Sequence, residues 1–184
     1  VLANQKGNKN RLGYSQFAFG FLYLDQQNFH DALPYYQKDL KIFTELKDTE
    51  QVANAEGTIG SIYLQMKRYK EAEPLFLDAI QKELAIEDYL RITENYSDLG
   101  TIYLEQNKIQ DAILTIKRAI SYAEQYGDPL QISTAYQTLG DAYLQNNFFP
   151  EATAAYQKGL ASDTFGNLTE EDANNHLGLS KALY

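Results

Sequence analysis

The apolar and polar positions of this chain recur with one long period. Gly20-Phe-Leu-Tyr23-Leu24 returns as Gly60-Ser-Ile-Tyr63-Leu64, Gly100-Thr-Ile-Tyr103-Leu104 and Gly140-Asp-Ala-Tyr143-Leu144, each copy 40 residues after the last without insertion or deletion. Ala32, Ala72, Ala112 and Ala152 keep the same spacing, each preceded by an acid, and four residues later stand Tyr36, Phe76, Ile116 and Tyr156. A fixed period in the range of roughly 20–50 residues is the signature of stacked supersecondary units.

Inside the period the apolar spacing is helical. In the second copy Val52, Ile59, Tyr63 and Met66 form an amphipathic stripe. Asp48 precedes them as an N-cap, and Asp48-Thr-Glu-Gln51 resembles a capping box, so a first helix is expected over residues 49–65. The polar stretches Gln26-Gln-Asn28, Lys67-Arg68, Gln106-Asn-Lys108 and Gln145-Asn-Asn147 supply turns, after which a second helix is expected, over 69–86 in this copy. Short turns between such helices make antiparallel hairpins. Asp88 and Asp128 repeat the cap, and Pro129 suits a first helical position. Gly within a helix costs about 1 kcal/mol relative to Ala. Four in phase therefore require close approach of a neighbour, and the small Ala of the second helix is the expected partner. Pro34 and Pro74, inside the second helices, predict a kink or a later helix start.

The same ruler divides the chain into repeats 8–47, 48–87, 88–127 and 128–167. Ala3-Asn-Gln-Lys-Gly7-Asn8 echoes Ala123-Glu-Gln-Tyr-Gly127-Asp128, so residues 1–7 are expected to be the tail of a preceding repeat. Residues 168–184 are either the first helix of a fifth repeat or a capping helix, opened by Thr169-Glu-Glu-Asp, with Ser180 in phase with Gly140. The chain is expected to be cut from a longer array.

Composition narrows the chemistry. A formal charge of −9 argues against a nucleic-acid or anionic-membrane surface, which needs clustered Lys and Arg. Cys is absent, which removes disulfides and thiolate metal sites, and no apolar run reaches the roughly 20 residues of a membrane-spanning helix. His30 and His176 are far apart in sequence and read as structural, so no metal site is expected. There is no Gly-rich phosphate loop, HExxH or nucleophile elbow, and neither a cofactor nor an enzymatic activity is expected. Asn95-Tyr-Ser97 and Asn167-Leu-Thr169 match a glycosylation sequon by chance. The expected compartment is cytoplasmic, and a chain without Cys also fits a periplasmic or secreted one.

Leu99-Gly100-x-x-Tyr103, Ala112, Ile116 and Ala119 resemble the Leu-Gly-x-x-Tyr … Ala-x-x-x-Phe-x-x-Ala pattern of tetratricopeptide repeats (TPRs). Glu71-Ala-Glu-Pro74-Leu-Phe76 is similar to kinesin light chains in particular, and the 40-residue period resembles the longer-helix members: kinesin light chains, Pins-type adaptors and bacterial Rap-type regulators. The Trp-like position of the family holds Gln16, Glu56, Tyr96 and Tyr136, and the Pro that usually ends each repeat is missing. The resemblance implies an all-α fold, a right-handed α-solenoid (superhelix) of antiparallel helical hairpins whose first helices line a concave groove.

It also implies which positions face that groove: 6 and 3 residues before each Gly, and 1, 4 and 5 after it. These are Tyr14, Phe17, Phe21, Leu24 and Asp25; Asn54, Gly57, Ser61, Leu64 and Gln65; Glu94, Ser97, Thr101, Leu104 and Glu105; and Thr134, Gln137, Asp141, Leu144 and Gln145. None of them is Lys or Arg, which disfavours the two-carboxylate clamp of chaperone-binding members. The positions change from aromatic in the first repeat to polar and acidic in the third and fourth. The expected partner is a protein or peptide with apolar anchors and basic residues. Tyr14, Phe17 and Phe21 have a second reading, as packing surface for a repeat on the N-terminal side. Two further roles stay open at this point. One is a ligand- or peptide-sensing domain of a bacterial signalling protein; the other is a spacer or oligomerisation element with end-to-end self-association.

Overall fold

Asp48, Asp88 and Asp128 each open a helix. Asp48 accepts from the Gln51 N–H at 3.2 Å, Asp88 from that of Arg91 at 3.2 Å, and Asp128 from Leu130 and Gln131 at 2.8 and 3.1 Å. These bonds satisfy donors that a helix start leaves without partners. The computed structural model describes residues 2–162 and 170–183. Among them are nine helices and no strand: α1 (Leu2–Asp25), α2 (Phe29–Leu46), α3 (Thr49–Gln65), α4 (Tyr69–Ile86), α5 (Tyr89–Glu105), α6 (Ile109–Tyr126), α7 (Pro129–Gln145), α8 (Phe149–Ser162) and α9 (Glu170–Leu183). The helices expected at 49–65 and 69–86 are α3 and α4, residue for residue. The expected boundary at 167–168, the Thr169 helix start and the Asn167 sequon lie outside the described residues.

Turn chemistry repeats as strictly as the apolar pattern. Gln27, Lys67, Asn107 and Asn147 take the left-handed backbone conformation inside the hairpins, as do Lys47, Glu87 and Gly127 after the second helices. At each hairpin turn an N–H bonds the carbonyl five residues back: Asn28 to Tyr23, Arg68 to Tyr63, Lys108 to Tyr103 and Phe148 to Tyr143, at 2.8–3.0 Å. This is the six-to-one bond of a Schellman motif, which consumes a helix-end carbonyl. The same bond, from the Asp48 N–H to the Phe43 carbonyl at 3.1 Å, occupies the donor that a full capping box would give to Gln51.

The chain forms two compact units, residues 1–87 and 88–184. In the first, α1 packs on α2, α2 on α3 and α3 on α4. Its core holds Ala32, Tyr36, Ile59 and Ile62, with Phe17, Tyr23, Leu40, Tyr63 and Leu75 packed around them. In the second, the α5–α6 and α7–α8 hairpins stack through α6 on α7 and α5 beside α7, and α9 lies against α7 and α8. Ile116, Ile120, Ala135 and Leu139 belong to one core there, and Ala152, Tyr156 and Ala182 to another.

Three sequence expectations change. The partner of the mid-helix Gly is the large residue of the second helix, not its Ala. A methyl group at Gly20 would meet the Tyr36 ring at 2.8 Å, and one at Gly60 the Phe76 ring at 3.0 Å. At Gly140 the neighbour is the Tyr156 ring and at Gly100 the Ile116 side chain. Secondly, of the kink or delayed start expected at Pro34 and Pro74, the delayed start is absent: α2 and α4 begin at Phe29 and Tyr69. One hydrogen bond is lost, but Ala32 and Tyr36, or Ala72 and Phe76, are buried on either side of the Pro and hold the first turns in place. Thirdly, α1 continues through Gly7 and Asn8, so the expected helix boundary at residue 8 is absent. Gly7 lacks the left-handed backbone that ends a helix at the equivalent Lys47, Glu87 and Gly127.

The Trp-like position keeps one register despite its varied residues. Glu56 accepts from the Lys82 ammonium at 2.7 Å across the α3–α4 hairpin, and Tyr96 stacks on Tyr122, also 26 residues away, at 5.9 Å across α5–α6.

Candidate functional site

Glu94, Ser97, Thr101 and Glu105 follow one another at intervals of three or four residues, so they form a single stripe along α5. Thr134, Gln137, Asp141 and Gln145 form the matching stripe on α7, which packs beside α5. All eight are exposed or half-buried.

The hydroxyl protons on these stripes are already used. Ser97 donates to the Thr93 carbonyl at 2.9 Å, Thr101 to that of Ser97 at 3.1 Å, and Thr134 to that of Leu130 at 2.9 Å. A hydroxyl bonded back to its own helix keeps only lone pairs for a partner. Carboxylates add to the same character. Burial pushes the Glu94 carboxyl up, Arg91 opposes that, and Asp98 and Asp88 reinforce it. Burial also raises Asp141, countered by the Tyr156 phenol, which donates to it at 2.7 Å, and by Lys181. Apart from the amides of Gln137 and Gln145, the two stripes therefore offer acceptors and negative charge.

Lys181 is a residue that the sequence reading passed over. It follows Ser180 as Asp141 follows Gly140, so it occupies the groove register on α9, and it is exposed. Applying the 40-residue ruler once more finds it. The acidic stripe thus ends at a cation.

In the first unit the aromatic positions divide. Phe17 is half-buried, edge-on to Tyr36 at 5.6 Å and packed against the core. Tyr14 and Phe21 are more than half exposed, at 51% and 53%, although the Tyr14 ring also meets Phe43 edge-on at 5.3 Å. Asp25 and Gln65 are exposed, Asn54 and Ser61 are half-buried with interactions of their own, and Gly57 contributes no side chain.

A different set of α1 residues corresponds to hairpin-on-hairpin packing. Leu12, Phe19 and Leu22 are exposed, yet their counterparts Val52, Ile59 and Ile62 on α3, the helix that packs on α2, are buried. Tyr14 and Phe21 correspond instead to Asn54 and Ser61 on α3, and to Thr134 and Asp141 on α7. The two readings of the α1 aromatics thus attach to two different faces of the helix.

Among the described residues no group of three or more His, Cys, Asp or Glu is placed to hold a metal ion, and no helix is long and apolar enough to cross a membrane. The family model for the tetratricopeptide repeat matches residues 14–82 and 51–125. No curated protein matches the sequence. Among solved structures, BtubC (BKLC) from P. vanneervenii is 21% identical, with a TM-score of 0.77 over 88% of this chain and 67% of its own. Aspartyl phosphate phosphatase F from Bacillus subtilis is 17% identical, with a TM-score of 0.86 over 93% of this chain and 45% of its own. A Podosopora anserina protein with nearly identical TPR-like repeats is 15% identical, with a TM-score of 0.75 over 95% of this chain and 85% of its own. At these identities the likeness shows a shared all-α, TPR-like fold. The chain spans less than half the length of the Bacillus protein.

Proposed function

The chain belongs to the tetratricopeptide repeat family, and from that premise we propose that it is a non-enzymatic protein-binding module that holds a peptide or partner segment against its first helices. The observation that carries this reading is the predominance of acceptors and acids on the α5 and α7 stripes, where the side-chain donors are the amides of Gln137 and Gln145. Ser97, Thr101 and Thr134 have spent their protons, and Glu94, Glu105 and Asp141 are acids. The complement is a segment that brings donors and positive charge, Lys and Arg above all. In the first unit Tyr14 and Phe21 offer exposed aromatic surface for apolar anchors.

A peptide array with systematically varied charge tests the proposal. Basic peptides carrying an apolar anchor should be retained, with binding that weakens as salt rises. Replacing Glu94 and Glu105 with Gln should lower affinity by roughly tenfold, as expected when partly desolvated charge pairs lose one partner. Affinity and salt dependence left unchanged would remove the assignment.

A second reading has one observation in its favour: the likeness to the Bacillus phosphatase, of which this chain spans 45%. In it the repeats are the sensing part of a larger signalling protein. Solution scattering of the full-length protein with and without a bound peptide tests this, with a change in maximum dimension expected; an unchanged profile at saturation rejects the switch.

A further inference from the structure

The α7 helix has a second flank, turned away from Thr134, Gln137 and Asp141. There Tyr136, Leu139 and Tyr143 form the floor of a cavity of about 270 Å³ between α6 and α8, all within the second unit. Lys117 of α6 and Lys158 of α8 line it, together with Ala154, Ala155 and Glu151.

The first unit carries different residues at the equivalent positions. The equivalent positions between α2 and α4 hold Pro74 and Leu75 in place of Ala154 and Ala155, and Leu75 packs against the core. Gln37 and Asp78 stand where Lys117 and Lys158 stand, and Gln37 donates to the Tyr63 hydroxyl at 3.4 Å. Three changes therefore separate the flanks: Tyr136 stands in place of Glu56, side-chain volume is lost at Ala154 and Ala155, and two ammonium groups replace an amide and an acid.

Among the described residues neither Lys117 nor Lys158 has a carboxylate within ion-pair distance. Lys158 lies 5.3 Å from the centre of the Tyr136 ring, and the Tyr136 hydroxyl donates to Glu124 at 2.9 Å, which fixes the ring at the cavity wall. With Glu151 counted, the lining carries a net positive charge in a chain whose total is −9. The volume lies just below the range of about 300–1,000 Å³ that accepts drug-sized ligands, so it suits one ring or one side chain.

We propose that this cleft is a binding site for a carboxylate borne on a small apolar or aromatic body. The two ammonium groups take the carboxylate, while Leu139, Ala155 and the tyrosine rings cover the apolar part. It is separate from the peptide-binding stripes and does not depend on them. Such a ligand could be a free aromatic acid, or an acidic residue beside an apolar one in a partner protein, and the two sources are distinguishable.

The test is a titration of the ¹⁵N-labelled full chain with phenylacetate, followed by amide chemical shifts. Saturable shifts centred on Leu139, Tyr143 and Ala155 are expected, with little response to phenethylammonium or inorganic phosphate, neither of which pairs an anion with an apolar body. The double substitution K117Q/K158Q should weaken phenylacetate at least tenfold. A155L, which restores the larger residue of the first unit, should abolish binding; a thermal melt checks that it folds, and the lysine pair serves as the test if it does not. An acetylated, amidated Phe-Glu dipeptide that binds at the same amides points to a protein partner, and binding by phenylacetate alone points to a free acid; either supports the site. Phosphate binding as tight as phenylacetate, absence of saturation, or phenylacetate binding that survives K117Q/K158Q would overturn it.

Discussion

Asp39 stands where Ala79 and Ala119 stand in the following hairpins, and it is 2% exposed. Its Oδ1 has no hydrogen-bond partner, and burial pushes the carboxyl up to about 7. The folded chain thus holds a proton that the unfolded chain releases near pH 4. The stabilisation this gives is fully present below that pH and is lost as pH rises through about 7. Full burial of the charge would make the loss a few kcal/mol, roughly 2–4. Asp39→Ala is therefore expected to raise the denaturation midpoint at pH 8. It should also flatten the fall in stability between pH 4 and 8, read from urea melts at several pH values. A variant whose stability falls with pH as steeply as the parent's would mean that Asp39 is not the group responsible.

At the scale of the helix, the period is enforced by what happens at its ends. Lys47 and Glu87 take the left-handed conformation that Gly127 takes at the equivalent place. A side chain there costs about 1 kcal/mol, which Gly avoids at some cost in unfolded-chain entropy. Lys47→Gly is accordingly expected to stabilise the first unit by up to about 1 kcal/mol. A lower denaturation midpoint in the variant would show that the Lys side chain contributes more than its backbone strain costs. The helix bounds at 49–65 and 69–86 were legible because caps, polar turns and apolar spacing agree on them. The continuous α1 was not, because Gly7-Asn8 carries the same letters as a true helix end. Only backbone geometry distinguishes the two.

For the molecule as a whole, one exposed apolar face of α1 departs from the pattern. Leu12, Phe19 and Leu22 are 51%, 52% and 56% exposed at positions buried on α3. Apolar surface of that kind drives association. Sedimentation velocity should show the chain associating as its concentration rises, and L12S/F19S/L22S should remain monomeric at concentrations where the parent does not. Equal behaviour of the two chains would mean that the net charge of −9 already keeps this face apart.

The sequence by itself determined the repeat, its phase and most of the helices, because caps and a 40-residue period are local and additive. It also contained Lys181, one further step along the same ruler. Tertiary packing decided the rest. It chose the large residue of the second helix over its Ala as the neighbour of each mid-helix Gly, and packed Phe17 against the core while leaving Tyr14 and Phe21 exposed. It also opened a cavity beside Ala154 and Ala155, where the first unit carries Pro74 and Leu75. Each of these outcomes depends on the size and hydrogen bonding of a neighbour distant in sequence or a turn away, and a one-dimensional pattern holds the residues without the distances between them.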